Sequence, residues 1–144
     1  MSKKPYYEWD ENLGIAYCTL YYKDLKFIGH AQCHEDDEDM KSKLTGQTIA
    51  EIRAMIQYLR HIRDNEIKPK LAALKQFYYS INRSKEYNKK SYESRMLYRQ
   101  IRNYEKDLDA IKEEIVRITN FMNEYITTKE AQYQLIRQSR KGQN

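Results

Sequence analysis

The stretch that decides the fold is LYRQIRNYEKDLDAIKEEIVRITNFMNEY, residues 97–125. Apolar or aromatic side chains recur in it at alternating intervals of four and three residues: Leu97, Ile101, Tyr104, Leu108, Ile111, Ile115, Ile118, Met122 and Tyr125. This seven-residue period is typical of a helix that packs along one seam in a left-handed supercoil. The pattern predicts a long second helix over residues 91–139, with the seam continued loosely by Lys129, Tyr133 and Ile136.

A second helical period, upstream of the seam, predicts a first helix over residues 47–82. Its apolar side chains are Ile49, Ile52, Ile56, Leu59, Leu71, Leu74, Tyr78 and Ile81. We expect Thr45 or Thr48 to cap its start, and Pro69 to kink it, since proline lacks a backbone donor and clashes with the preceding turn. Residues 83–90 lack apolar residues at helical spacing, which predicts a loop. The two helices on either side of it should therefore form an antiparallel hairpin or coiled coil. The first helix is too short to cover the whole seam, which predicts a homo-oligomer.

Residues 1–35 predict a small antiparallel β-sheet, because runs of β-branched and aromatic residues alternate there with turn-forming residues. The runs are YYEW, IAYCTLYY and KFIGHAQCH, and the turns between them are DENLG and KDLK. Both alternating sets of side chains in the middle run are partly apolar, so one sheet face should be covered and the other contacted. The sheet and the two helices together predict an α+β fold in a single domain of 144 residues.

Charge is distributed unevenly along the chain. Charged residues make up 33% of the sequence and only four residues are Gly, which is typical of helix-rich proteins. The net charge is +5, and residues 83–102 alone hold seven basic and two acidic side chains. Such an excess favours an anionic partner, although a solvated helical face has the same composition.

The N-terminal residues MSKKPYYEW lack the apolar segment of a signal peptide. No run approaches the length of a membrane span, so no membrane partner is expected. Without an export signal, Cys18 and Cys33 should remain reduced thiols. These features predict a cytoplasmic protein.

Two segments contain potential metal ligands. His30, Cys33 and His34 in HAQCH are ligand types, but adjacent residues of a strand point to opposite faces and no second cluster has zinc-site spacing. The acidic run EDDEDM lacks the Gly and the final Glu of a calcium loop. No nucleophile motif and no Gly-rich phosphate loop occurs. We therefore expect no metal, no cofactor and no catalysis.

The basic stretch suggests a ligand site. With Leu97 as heptad position a, Arg95, Arg99 and Arg102 lie on the side of the helix away from the seam. They also lie near the helix N-terminus, where the dipole favours an anion. Arginine donates bidentate hydrogen bonds to phosphate, and a neighbouring ring such as Tyr92 can stack on a base. The alternative is a row of solvated charges.

The order of elements, with a small N-terminal sheet, a kinked helix, a long helix and a basic, aromatic corner, resembles the phage anti-Thoeris sponge proteins. These proteins sequester the cyclic ADP-ribose isomers made by bacterial immune TIR proteins. The resemblance implies a non-catalytic viral protein that acts in the cytoplasm of an infected bacterium and evades immunity by nucleotide sequestration. It also implies homo-oligomers, and in some members a separate site for cyclic oligonucleotides.

The resemblance further implies site residues. An arginine of the first helix, an aromatic and an asparagine near the corner match Arg53 in IAEIRAM, Tyr78 in QFYYS and Asn88 in EYNKK. Arg95 and Arg99 match the arginines that the family's long helix contributes. Arg53 precedes Tyr78 by 25 residues, roughly 35 Å of helix. The pocket is therefore expected between subunits, with Arg53 of one chain meeting Tyr78 and Asn88 of another.

Two other functions stay open at this point. A basic helical module that binds nucleic acid, including an anti-CRISPR type, is less favoured because the basic residues form no long stripe and the net charge is modest. A structural coiled-coil adaptor would be explained by the heptads alone. The three alternatives differ in ligand, which is a cyclic nucleotide, a nucleic-acid strand or nothing.

Overall fold

A computed structural model describes residues 4–32, 40–83 and 92–141. It confirms the predicted α+β architecture of an N-terminal three-stranded antiparallel sheet, a kinked helix and a long C-terminal helix. The elements are β1 (Tyr6–Asp10), β2 (Ile15–Tyr22), β3 (Leu25–Gln32), α1 (Met40–His61), a π-helical segment (Ile62–Ile67), α2 (Lys68–Arg83) and α3 (Tyr92–Lys141).

The sheet has the strand order β1-β2-β3, with both pairs antiparallel. In the first hairpin, the Asp10 carboxylate accepts hydrogen bonds from the backbone N–H groups of Asn12 and Leu13, each at 3.0 Å. Gly14 completes this turn with a φ of 64°, which glycine adopts without a Cβ clash. The second hairpin turns at Lys23, whose φ is 54°. Turn chemistry encoded next to each strand thus sets the register.

The core of the sheet lies on one face, as the alternation in β2 requires. Ala16, Cys18 and Leu20 of β2 are fully buried. Ala50 and Ala54 of α1 belong to the same buried cluster. The opposite face of β2 is only half-buried. The sequence prediction of one covered face is confirmed, and α1 is the element that covers it.

Gly29 sets how closely α1 approaches the sheet. A Cβ atom at this position would lie 2.0 Å from the backbone oxygen of Ala50 and 2.5 Å from the backbone nitrogen of Ala54. Because both neighbours are backbone atoms, no side-chain rotation relieves the overlap. Small residues on both elements therefore allow the helix backbone to lie directly on β3.

The predicted kink is present, and it takes the form of a π-helical segment just before Pro69. The Lys68 N–H donates to the carbonyl of Arg63, five residues earlier, which is the π-helical spacing. Pro69 has no N–H to continue the α-helical ladder, and a widened turn before it relieves the clash of its ring. α2 then begins with proline as its second residue, a position where the missing donor costs little.

The start of the first helix differs from the prediction. α1 begins at Met40 rather than at residue 47, and neither predicted cap acts as one. The Thr45 hydroxyl pairs with the Tyr133 hydroxyl at 3.0 Å, and the Thr48 hydroxyl donates to the carbonyl of Leu44 at 2.9 Å inside the helix. Hydroxyls satisfied in this way no longer mark a helix end, and packing overrides local propensity.

The heptad seam of α3 is its less exposed face. From Leu97 to Tyr133 every seam position is buried or half-buried, and Ile136 is exposed. The described residues form two compact units, one within Met1–Tyr58 and Val116–Asn144 and the other within Leu59–Ile115. The single-domain organisation and the homo-oligomer remain predictions.

Candidate functional site

The residues predicted to bind ligand are divided between the two units. Arg53 belongs to the unit that contains the sheet. Tyr78, Tyr92, Arg95 and Arg99 belong to the unit formed by α2 and the first half of α3. Asn88 lies outside the described residues. The candidate site is therefore built from the second unit, and Arg53 is described separately.

α2 and the beginning of α3 pack antiparallel as a helical hairpin. The Lys75 ammonium lies 4.0 Å from the Glu105 carboxylate, and the rings of Tyr78 and Tyr98 have centroids 6.2 Å apart. At the end where α2 stops and α3 begins, called the hairpin end below, the Ser94 hydroxyl donates to the Asn82 side-chain oxygen at 3.0 Å. Successive residues of α2, from Lys75 to Asn82, contact progressively earlier residues of α3, from Glu105 to Ser94. This order shows that the two helices are antiparallel, and it fixes their register.

The Ser94 hydroxyl anchors this end of the hairpin. Ser94 is 1% exposed, so its hydroxyl requires an internal partner. The bond to Asn82 supplies one, and it holds the first turn of α3 against the last turn of α2. The hydrogen bond thereby fixes the backbone of the two helical turns next to the tyrosine rings.

Aromatic rings form an exposed cluster beside this anchor. The centroid of the Tyr78 ring lies 5.9 Å from that of Tyr79 and 6.2 Å from that of Tyr98. Tyr98 is 51% exposed and Tyr79 is 54% exposed, while Tyr92, one helical turn and more before Tyr98, is 68% exposed. These rings present flat surfaces to solvent, which is the property that base stacking requires.

The arginine row predicted on the outer side of α3 flanks the same rings. Arg95, Arg99 and Arg102 are all exposed. Arg102 is neutralised in part by Glu105, with 3.3 Å between guanidinium and carboxylate. Neither Arg95 nor Arg99 has an ion-pair partner among the residues that the structure describes. Arg95 and Tyr98 are three residues apart on one helix face, so positive charge and an exposed ring are neighbours.

Arg53 has a structural contact in this chain. Its Nη1 donates to the backbone carbonyl of His30 at 2.7 Å, and Gln57, one turn later on α1, donates to the carbonyl of Ile28 at 2.8 Å. These carbonyls belong to β3, an edge strand of the sheet. The two side chains thus occupy the acceptors that an edge strand leaves unpaired. The ligand-binding role of Arg53 remains a prediction.

A second polar cluster lies between β1, β2 and α1. Burial, together with a hydrogen bond to the Glu51 carboxylate, raises the pKa of Tyr7 to about 12. Burial and the nearby charge of Glu51 raise the pKa of the Cys18 thiol to about 11. A thiol with so high a pKa is protonated at neutral pH and is a poor nucleophile. This cluster joins β1 and β2 to α1 through the Tyr7–Glu51 hydrogen bond.

Among residues 4–32, 40–83 and 92–141, no three His, Cys, Asp or Glu side chains are grouped as metal ligands. Cys33, His34 and the acidic run that follows them lie outside these ranges. No helix in the described part of the chain is long and apolar enough to cross a membrane.

Tyr98 was not among the residues chosen from the sequence. Its pairing with Tyr78 follows only when the sequences of both helices are combined with the antiparallel register described above. The Asn82–Ser94 hydrogen bond fixes the same register and was missed for the same reason. The heptad pattern specifies which face of α3 packs, but it does not specify the offset between the helices.

Comparison of the chain with protein-family models, curated proteins and solved structures finds no match. Function is therefore inferred from the residues of the hairpin end.

Proposed function

We propose that this protein binds and sequesters a cyclic ADP-ribose-type nucleotide without converting it, and thereby blocks Thoeris immunity in an infected bacterial cell. The observation that carries the proposal is the Tyr78–Tyr98 ring pair beside the exposed guanidinium groups of Arg95 and Arg99. Such a nucleotide contains an adenine, two riboses and a pyrophosphate. Rings and guanidinium groups are the side chains that recognise a base and a phosphate.

Each part of the ligand has a matching group at the hairpin end. The adenine stacks on the outer face of Tyr98. The pyrophosphate is bound by Arg95 and Arg99, which lie one helical turn apart and have no carboxylate partner among the described residues. Desolvating these arginines costs less than breaking an existing ion pair, which favours this site over Arg102.

Sequestration also requires that the bound nucleotide survive. Tyrosine and arginine at the hairpin end provide stacking and charge, while the carboxylate pair that hydrolysis of a glycosidic bond uses has no counterpart in the cluster. Nucleotide released by heating the complex is therefore expected to be chemically unchanged. Release of a hydrolysed or rearranged product would contradict the proposal.

Isothermal titration with cyclic ADP-ribose isomers tests the site directly. Tyr98→Ala and Tyr78→Ala should each weaken binding by about 1–3 kcal/mol, because each removes part of the stacking surface. Arg95→Ala and Arg99→Ala should weaken it by about 1.5–3 kcal/mol through lost charge-assisted hydrogen bonds.

Two matched variants serve as controls. Phe121→Ala removes an equally exposed ring of α3, and Lys112→Ala removes an exposed positive charge of the same helix. Neither should change affinity. If the controls weaken binding as much as the site variants do, or if no isomer binds, the proposal is wrong. Tighter binding of a single-stranded oligonucleotide than of any cyclic nucleotide would instead favour the nucleic-acid module.

A further inference from the structure

The two edge strands of the sheet, β1 and β3, differ in whether side chains bond to their outer backbone groups. At the β3 edge, Arg53 and Gln57 of α1 donate to the carbonyls of His30 and Ile28. At the β1 edge, only β2 runs alongside the strand. Within the described part of the chain, the sole hydrogen bonds to β1 from outside the sheet are the turn bonds at Asp10 and the side-chain bond between Tyr7 and Glu51. Among residues 4–32, 40–83 and 92–141, the β3 edge is therefore covered by side chains of α1, and the β1 edge is open.

The backbone groups on the open edge follow from the register. In antiparallel strands a residue's N–H and C=O point to the same side, and successive residues alternate. The carbonyls of Ile28 and His30 point away from β2, so the odd-numbered residues of β3 bond to β2. The β2–β3 and β1–β2 registers extend this alternation across the sheet. As a result, the even-numbered residues of β1 form the backbone hydrogen bonds with β2. Tyr7 and Trp9 therefore direct their N–H and C=O groups to the open edge.

The charges of this edge are self-complementary. If a second copy of β1 runs antiparallel about a two-fold axis at Tyr7, Lys4 of each copy lies opposite Asp10 of the other. Glu8 then lies opposite Tyr6, which is 53% exposed, and diagonally from both Lys4 and Glu8 of the second copy, so one attractive diagonal offsets one repulsive diagonal and the direct Lys4–Asp10 pairs remain as the net attraction. Opposite charges facing each other stabilise such a pair, and like charges destabilise it. Moving the axis to Glu8 would place two carboxylates opposite each other, so that register is disfavoured.

Pro5 disfavours the register in which the two-fold axis lies at Tyr6. With the axis at Tyr7, the two Tyr7 residues exchange both backbone hydrogen bonds, and each Trp9 N–H donates to the Pro5 carbonyl of the second copy. With the axis at Tyr6, Pro5 would face Tyr7, and its missing N–H would remove half of the central hydrogen bonds. Backbone and charge thus favour the same axis.

We propose that the open edge of β1 is an interface at which a second copy of this chain docks, extending the two sheets into one continuous antiparallel sheet. A two-fold interface requires one patch that is complementary to itself, which the Lys4–Asp10 arrangement provides. The interface lies on the sheet, so it is independent of the ligand site proposed on the hairpin. It uses neither the heptad seam of α3 nor any residue of that site.

Disulfide cross-linking tests the axis. In a Cys33→Ser background, Tyr7→Cys should form a disulfide-linked dimer under mild oxidation, because paired residues have Cα atoms about 5.5 Å apart, within reach of a disulfide. Tyr6→Cys is the matched control, since with this axis the two copies of residue 6 are separated by about 8 Å and cannot be bridged. Cys18 is fully buried and should not react. Cross-linking at residue 6 alone, at both positions equally or at neither overturns the proposal.

Charge reversal tests the pairing without new thiols. Lys4→Glu should raise the dimer dissociation constant at least about tenfold in sedimentation equilibrium, because the two-fold axis repeats each repulsion twice. Lys26→Glu makes the same charge change on the same sheet face, at the covered β3 edge, and should change the constant by no more than about threefold. Equal effects of the two variants, or a monomeric wild-type protein at micromolar concentration, would refute docking at β1.

Discussion

Replacement of Gly29 by alanine probes the contact between α1 and the sheet. The new methyl carbon would lie 2.0 Å from the Ala50 oxygen and 2.5 Å from the Ala54 nitrogen. Since ordinary carbon–oxygen contacts are about 3.3 Å or longer, α1 would have to move away by roughly 1 Å or more. Overpacking of this kind costs about 1–3 kcal/mol.

The same movement affects the covered edge of the sheet. The hydrogen bonds from Arg53 to His30 and from Gln57 to Ile28 would stretch, and each contributes about 1 kcal/mol. The total loss in the free energy of unfolding for Gly29→Ala is therefore about 3–5 kcal/mol, a large share of the 5–15 kcal/mol typical of a folded domain.

Urea unfolding followed by helical circular dichroism measures this loss. Gln32→Ala, an exposed change on the same strand, should alter the free energy of unfolding by no more than about 0.5 kcal/mol. Adding Ala50→Gly to Gly29→Ala should restore nothing, because the clash is with backbone atoms that glycine retains. The reasoning fails if Gly29→Ala is within about 1 kcal/mol of wild type, or if Ala50→Gly rescues it.

Three other perturbations have defined outcomes. The free energy of unfolding should fall by roughly 2–3 kcal/mol as the pH rises from about 9 to about 11, because folded Cys18 keeps its proton after the unfolded thiol has lost it; urea titrations over this range should show the fall, and Cys18→Ala should reduce it most between about pH 9 and 10, because above about pH 10 Tyr7, whose pKa is also raised, adds to it. Arg53→Ala and Gln57→Ala should each cost about 1 kcal/mol of unfolding free energy through the lost edge hydrogen bonds, and an unchanged urea midpoint would contradict this. Ile115→Asp should cost several kcal/mol by placing a charge on the buried seam; a wild-type melting temperature for this variant would exclude Ile115 from the core.

The elements of the fold were predictable wherever a single period dominated. Strand β2 coincides with the run IAYCTLYY, and the kink lies just before Pro69. The start of α1 was missed because Thr45 and Thr48 have the composition of a cap, whereas the Thr45 hydroxyl pairs with distant Tyr133 and the Thr48 hydroxyl bonds back to the Leu44 carbonyl inside the helix. Gly29 was not recognised because close backbone approach leaves no local pattern in the sequence.

The candidate site was predictable in its residue types more than in its geometry. The sequence indicated the exposed arginines near the start of α3 and the ring of Tyr78. The pairing of Tyr78 with Tyr98 depends on the offset between two helices, which no single segment encodes. Arg53 was chosen by resemblance, and its bond to the His30 carbonyl required the position of the sheet.

The covered edge of β3 has a consequence for the order in which the chain folds. Arg53 and His30 are 23 residues apart, and Gln57 and Ile28 are 29 apart, whereas the Thr45–Tyr133 hydrogen bond joins positions 88 residues apart. Contacts between nearby residues close small loops and form with less entropic cost. During synthesis, the sheet and the helix that covers it can therefore assemble as soon as Gln57 leaves the ribosome, well before α3 has been translated. We expect a fragment that ends shortly after α1, once released from the ribosome, to protect its β3 amides from hydrogen exchange.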